Sequence, residues 1–132
     1  LSKKNTLRGL HFQTKLQQKK IISVIKGEIL DVCVDLRKKS KTFGKYFFLR
    51  LSAKNNISLL IPEGFAHGFC VLSNYAIMHY QCSKKRYRKY EKSLSWDDED
   101  LNIKWPKKKY ILSDRDKSGF SFKEFKNKIK TL

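Results

Sequence analysis

The chain has 132 residues, 40% hydrophobic and 13% aromatic, which is the size of one domain and apolar enough to fill a core rather than stay disordered. It carries 30 Lys and Arg against 12 Asp and Glu, a formal charge of +18. Its longest aliphatic runs, Ile21–Ile22 and Leu59–Leu60–Ile61, fall far short of the ~20 residues of a membrane span, so no part is expected to cross a bilayer. In chain order, the opening Leu1-Ser2-Lys3-Lys4 has neither an initiator Met nor an apolar signal core, and the chain is expected to begin partway through a domain. Six runs rich in β-branched and aromatic residues follow: Ile21–Lys26, Ile29–Asp35, Lys45–Leu51, Ile57–Ile61, Gly68–Leu72 and Ala76–Cys82. Lys-Gly, Lys-Thr-Phe-Gly, Lys-Asn-Asn and Pro-Glu-Gly punctuate them, which predicts an antiparallel sandwich or barrel. Within Asp31-Val32-Cys33-Val34-Asp35, alternation puts Asp31, Cys33 and Asp35 on one face. That face could point inward, toward a ligand, or outward, toward water.

The period changes near the C-terminus. Phe122, Phe125, Ile129 and Leu132 recur at helical spacing among lysines, and Ser121-Phe122-Lys123-Glu124 is a capping-box pattern. Residues 1–118 are therefore expected to form one β domain, with 119–132 an amphipathic helix packed on it. Asp114-Arg115-Asp116-Lys117-Ser118-Gly119 begins like a calcium-binding loop. It fails at the twelfth position, where Phe125 replaces the required Glu, and no helix enters it. Cys33, Cys70 and Cys82 form no CxxC pair and sit in strand-like apolar settings, so buried, reduced thiols and a cytoplasmic location are expected. The lysines are scattered, with denser runs at Lys84-Lys85-Arg86-Tyr87-Arg88-Lys89 and Lys107-Lys108-Lys109, and neither run lies on a nucleic-acid-binding motif. Specific nucleic-acid binding is not expected, whereas a diphosphate-bearing small ligand would profit from the same field. The six glycines form neither a dinucleotide fingerprint nor a P-loop.

The remaining titratable residues fall in recognisable motifs. Arg8-Gly9-Leu10-His11-Phe12-Gln13, Lys20, Gly27-Glu28-Ile29-Leu30-Asp31-Val32-Cys33-Val34-Asp35-Leu36-Arg37 and Thr42-Phe43-Gly44 come first. Ile61-Pro62-Glu63-Gly64-Phe65-Ala66-His67-Gly68-Phe69, Trp96-Asp97-Asp98, Ile103-Lys104-Trp105-Pro106 and Leu112-Ser113-Asp114-Arg115-Asp116 follow. In order and spacing these resemble the dTDP-4-dehydrorhamnose 3,5-epimerase family over almost the whole chain. The resemblance implies a cupin-type antiparallel jelly-roll barrel, a homodimer, and inversion of C3 and C5 of dTDP-4-dehydro-6-deoxy-D-glucose on the way to rhamnose-containing surface polysaccharide such as lipopolysaccharide. No cofactor or metal is implied, and the strand that carries an HxH pair in metal cupins offers only His11-Phe12-Gln13 here.

By resemblance His11 is the general base, Asp116 its orienting carboxylate, Lys20 the cation near the C4 carbonyl and Tyr80 the acid on the opposite face. Taken alone, His11 reads equally as a structural histidine, Lys20 beside Lys19 as a solvated lysine, and Tyr80 as a core aromatic. Lys20 is singled out because it lies seven residues before Gly27, as the family lysine precedes its glycine. His67 and Asp31 match pocket positions, Arg8 is assigned to the diphosphate or to pocket shape, and Gln13 to substrate binding. His79 is expected to be structural. The chain is expected to depart from the family in four respects: a leading segment with an Arg and a Glu is not present, the spacer between Gln13 and Lys20 is one residue short, Ser23 stands where Arg is frequent, and Lys85-Arg86-Tyr87 replaces a Tyr-rich turn. A single-site epimerase on a related 4-keto sugar, or a sugar-nucleotide-binding cupin without activity, is the alternative.

Overall fold

A computed structural model describes residues 1–129. Nine strands lie in the order β1 (Ser2–Lys3), β2 (Leu7–Gln13), β3 (Lys20–Lys26), β4 (Glu28–Asp35), β5 (Tyr46–Ser52), β6 (Leu59–Ile61), β7 (Phe65–Val71), β8 (Tyr75–Cys82) and β9 (Glu91–Ser93). The helices α1 (Asp114–Lys117) and α2 (Phe122–Lys128) follow. Strands β1-β8-β3-β6 form one sheet and β5-β4-β7-β2-β9 the other, with every pairing antiparallel. All six runs read as strands are strands, the largest displacement being β7, which starts three residues before Gly68. Among the described residues, no helix is long and apolar enough to cross a membrane.

The central strands β4 and β7 of the five-stranded sheet are buried on both faces, which is why β4 reads as an apolar run apart from its acidic residues. Ile29 and Cys33 of β4 and Phe69 and Val71 of β7 pack against Ile22, Val24, Ile61 and Ala76 of the other sheet, so this face looks into the space between the sheets. Asp31 and Cys33 therefore point inward, resolving the choice that alternation left open. On the other face Leu30, Val32, Val34, Ala66, Cys70, Leu10 and Phe12 are covered by the C-terminal chain through Leu94, Leu101, Phe122 and Phe125.

Helix α2 caps that second core. Ser121 accepts from the Glu124 backbone N–H at 3.0 Å while the Glu124 carboxylate accepts from the Ser121 N–H, the reciprocal pair anticipated from the sequence. Phe125 is fully buried, its ring edge-on to Phe12 with centroids 5.6 Å apart. The expected helix reached farther than the observed one: Ile129 is already extended, and Lys130 and Leu132 lie outside the described residues. Cys33 and Cys70 are buried free thiols as expected, but Cys82 is exposed, because it ends β8 at the mouth of a cavity rather than within a core.

If α2 closes the outer core as this packing indicates, Phe125→Ala should lower unfolding free energy by about 3–5 kcal/mol. Lys123→Ala on the exposed side of the same helix should change it by no more than about 0.5 kcal/mol. Urea denaturation of both variants checks the contrast.

Candidate active site

The site begins with an irregularity in β2. Arg8 pairs with Phe69 and His11 with His67, so two residues of β2, Gly9 and Leu10, oppose the single Gly68 of β7. The bulge keeps both Arg8 and His11 facing the space between the sheets while Leu10 and Phe12 turn to the outer core. Gly9 adopts φ +122°, and a Cβ there would lie 2.6 Å from the Gly68 Cα and 2.8 Å from the His67 carbonyl. A Cβ on Gly68 would in turn lie 2.7 Å from the Arg8 carbonyl, so the bulge forms only where two glycines let the backbones touch.

Turning His11 inward brings it to Asp116. The His11 Nε2 lies 2.7 Å from Asp116 Oδ1, and Asp116 is 2% exposed. Asp116 sits in α1, whose N-cap Ser113 accepts from the Asp116 backbone N–H. Burial alone would raise the Asp116 carboxyl. The His11 hydrogen bond and charge, with donors from the Gly9 N–H and Ser113, override it and hold the carboxyl below its ordinary value. The anion is thus stable where it can fix the histidine ring.

A second histidine-carboxylate pair lies deeper. His67 Nε2 is 2.8 Å from Asp31 Oδ2, Asp31 is fully buried, and its Oδ1 has no hydrogen-bond partner. The His67 ring stands edge-on to Tyr80 at 6.3 Å between centroids. Tyr80 and Lys20 belong to the other sheet, on β8 and β3, so the cavity has a histidine wall and a tyrosine-lysine wall. Burial lowers the Lys20 ammonium against the raising pull of Cys82, Glu91 and Asp31. Although 44% of Tyr80 stays accessible at the rim, its phenol is pushed well above its ordinary value by burial and then by the Asp31 charge, with Arg8 opposing.

These walls enclose a cavity of about 360 Å³ lined by Arg8, His11, Gln13, Lys20, His67 and Tyr80, with Phe65 and Phe69 supplying apolar surface. The structure thus gathers these residues around one cavity, with Asp116 and Asp31 behind its two histidines. Gln13 has both amide ends engaged: its Oε1 accepts from the Tyr87 N–H at 2.8 Å and its Nε2 donates to the Leu16 carbonyl at 2.8 Å. It therefore fastens two loops at the mouth. His79 faces the outer side of its sheet, opposite Ser23. Among the described residues, no three His, Cys, Asp or Glu side chains cluster as a metal site would need.

Glu91, which the sequence does not mark at all, also lines the cavity, as do Arg86 and Cys82, which it marks only as part of a basic run and as a thiol. Glu91 accepts from Arg86 and from Arg115, its side chain only 7% exposed. The three-residue β9 that carries it has no hydrophobic period by which to find it.

Facing sheets with a polar cavity between them define a cupin-type jelly roll that works on a small ligand inside its barrel. The family model described as dTDP-4-dehydrorhamnose 3,5-epimerase matches residues 1–124, and the chain belongs to that family. It is 43% identical over 127 residues to the dTDP-4-dehydrorhamnose 3,5-epimerase of Methanothermobacter thermautotrophicus, covering 94% of this chain and 69% of the relative. Identity to the enzyme of the same description from Shigella flexneri is 46% over 122 residues, covering 92% and 67%. The crystal structure of the dTDP-6-deoxy-D-glucose-3,5-epimerase of Legionella pneumophila in complex with dTDP-4-keto-L-rhamnose superimposes with a TM-score of 0.89 at 41% identity. That match covers 91% of this chain and 64% of the other. The chain thus spans roughly two thirds of the length of the proteins it matches.

Acid should loosen this site through Glu91. Burial raises its carboxyl, but the Arg86 and Arg115 hydrogen bonds bring it down to about 2 from an ordinary 4.5. Its folded value is depressed, so the unfolded chain binds more protons in that window, and stability rises with pH across it. The contribution is complete above pH 4.5 and is lost as pH falls toward about 2. Thermal melts over that range should fall less steeply for Glu91→Gln than for the parent.

Proposed function

We propose that the protein is an isomerase that inverts C3 and C5 of dTDP-4-dehydro-6-deoxy-D-glucose, giving dTDP-4-dehydro-L-rhamnose. The observation that carries this reading is the placement of the His11–Asp116 pair on one wall of the cavity and of Tyr80 on the other. Inversion at a carbon needs a proton taken from one face and returned to the opposite one, and two walls meet that requirement. A hydrogen on a carbon next to a ketone is acidic enough to leave only if a base is in reach and the enolate oxygen is stabilised.

His11 acts as the base. The Asp116 carboxylate holds a proton on Nε2, leaves Nδ1 basic, and stabilises the imidazolium that forms. The Lys20 ammonium, partly desolvated, attracts the enolate oxygen more strongly than a solvated lysine would. The raised Tyr80 phenol stays protonated until the enolate forms, then delivers its proton to the far face and draws one back afterwards. His67, held by Asp31, and Arg8 bind the sugar and the diphosphate; Gln13 supports the mouth they share. The net charge of +18 adds a long-range attraction for a nucleotide diphosphate. Residues 1–118 and 119–132 act as one unit in this reading, since α2 seals the sheet that carries His11. The free thiols suit a cytoplasmic enzyme that feeds cell-surface polysaccharide synthesis.

Incubating the chain with the 4-keto sugar nucleotide in D₂O and reading C3 and C5 by NMR tests the reaction and its positions together. Tyr80→Phe should keep hydrogen exchange at a substrate carbon while impairing inversion by ~10²–10⁴-fold, and His11→Ala should abolish both. Full turnover by Tyr80→Phe, or deuterium uptake with His11→Ala, would overturn the two-wall mechanism.

A homodimer is part of the same proposal. Ile21, Ile25 and Leu60 are 37%, 61% and 60% exposed, and Ile21 pairs with Leu60 on the outer face of the four-stranded sheet. A second copy covering this strip removes it from water. The double substitution Ile21→Lys with Leu60→Lys should convert a dimer to monomers in sedimentation velocity, and an unchanged dimer would place the interface elsewhere.

A further inference from the structure

We propose that Glu91 is a positioning residue that ties the cavity mouth to the His11–Asp116 pair, an inference that rests on the isomerase reading of the site. Glu91 lies on β9 two residues from Ser93, and in the ladder with β2 Glu91 pairs with Gln13 and Ser93 with His11. Its carboxylate accepts from two guanidiniums of different origin. Arg86 comes from the loop after β8 and binds through Nε and through Nη2, the latter at 3.0 Å. Arg115 comes from α1, immediately before Asp116, and binds through Nη2.

Arg115 is gripped at a second point, where its Nε donates to Ser93 Oγ at 3.3 Å, and the Ser93 hydroxyl lies 3.5 Å from Asp116 Oδ1. Helix α1 has four residues, too few for its own hydrogen bonds to fix its orientation. What aims Asp116 at His11 is therefore the N-cap Ser113 at one side and the Glu91–Arg115–Ser93 contacts at the other. Both Glu91 oxygens are occupied by cationic donors, so the residue is not free to take a proton from substrate. Its effect passes through Arg115 to the helix and through Arg86 to the mouth. Without its charge the two guanidiniums repel and α1 loses its main tether.

The ligand-free full chain, labelled with ¹⁵N-histidine, reads this directly in the ring nitrogens of His11. In Glu91→Gln the shift pattern of a ring whose Nε2–H is held by Asp116 should move toward that of a mixed-tautomer histidine, and Arg115→Met should reproduce the change. Lys92→Ala, on the exposed side of β9, should leave it unaltered. In turnover, Glu91→Gln and Arg115→Met should each lower kcat by ~10–100-fold, and the double variant should lose no more than either. An unchanged His11 spectrum in folded Glu91→Gln, or multiplicative losses in the double variant, would overturn the proposal. The spectra need no substrate, so a parent chain that fails to epimerise would sink the isomerase reading while the His11 signals still decide the role of Glu91. Should Glu91→Gln fail to fold, Arg115→Met decides by the same spectra.

Discussion

A carboxylate that is 2% exposed and still ionised has to be surrounded by donors, and those of Asp116 come from two strands distant from it in sequence. His11 reaches it from β2, the Gly9 N–H from the bulge in that strand, and the Ser93 hydroxyl from β9. Removing any one leaves part of the cost of burying a charge uncompensated, typically about 1–3 kcal/mol for each lost partner. The requirement explains why β2 carries a bulge, why two glycines face each other across β2 and β7, and why a four-residue helix is capped by Ser113. The geometry of the His11–Asp116 pair and the satisfaction of a buried charge are here one and the same constraint.

The sandwich then divides the chemistry between its sheets. The five-stranded sheet, buried on both faces at its central strands β4 and β7, carries both histidines and Asp31. The four-stranded sheet carries Lys20 and Tyr80 on neighbouring strands. The second core beneath α2 backs the outer face of the five-stranded sheet, where Phe125 packs edge-on against Phe12, the residue next to His11. Two packed sheets thus hold the His11–Asp116 pair and the Lys20–Tyr80 wall on opposite sides of one cavity.

Much of this was legible from residue order. Strands β3 to β8 announce themselves by β-branched runs and by turn residues between them, and α2 by its capping box and phenylalanine spacing. Strand β2, which carries His11, is not marked by periodicity, because Gly9 and the bulge break the alternation that marks a strand. His11 was found instead by resemblance of its motif. Glu91 escaped both routes, since a strand of Glu-Lys-Ser has no apolar pattern and its partners lie in loops distant in sequence. Cys82 was misjudged as buried because a strand end at a cavity mouth looks, in one dimension, like a strand end in a core.

The charge balance takes on a different meaning once the acids are placed. Asp31, Asp35, Asp116 and Glu91, four of the chain's twelve acidic residues, are buried or nearly so and bound to His67, Arg37, His11 and the Arg86–Arg115 pair. The acids that could offset surface lysines are thus partly consumed inside, three of them at the wall and mouth of the cavity and Asp35 at the end of β4. The lysine excess remains outside, where an exposed charge costs little to keep and its field extends about a Debye length, ~8 Å at physiological salt. Arg37, Arg86 and Arg115 are drawn into the same pairings, so the positive surface is carried by the lysines, and in the proposed reaction an anionic nucleotide would meet their field rather than a separate basic motif.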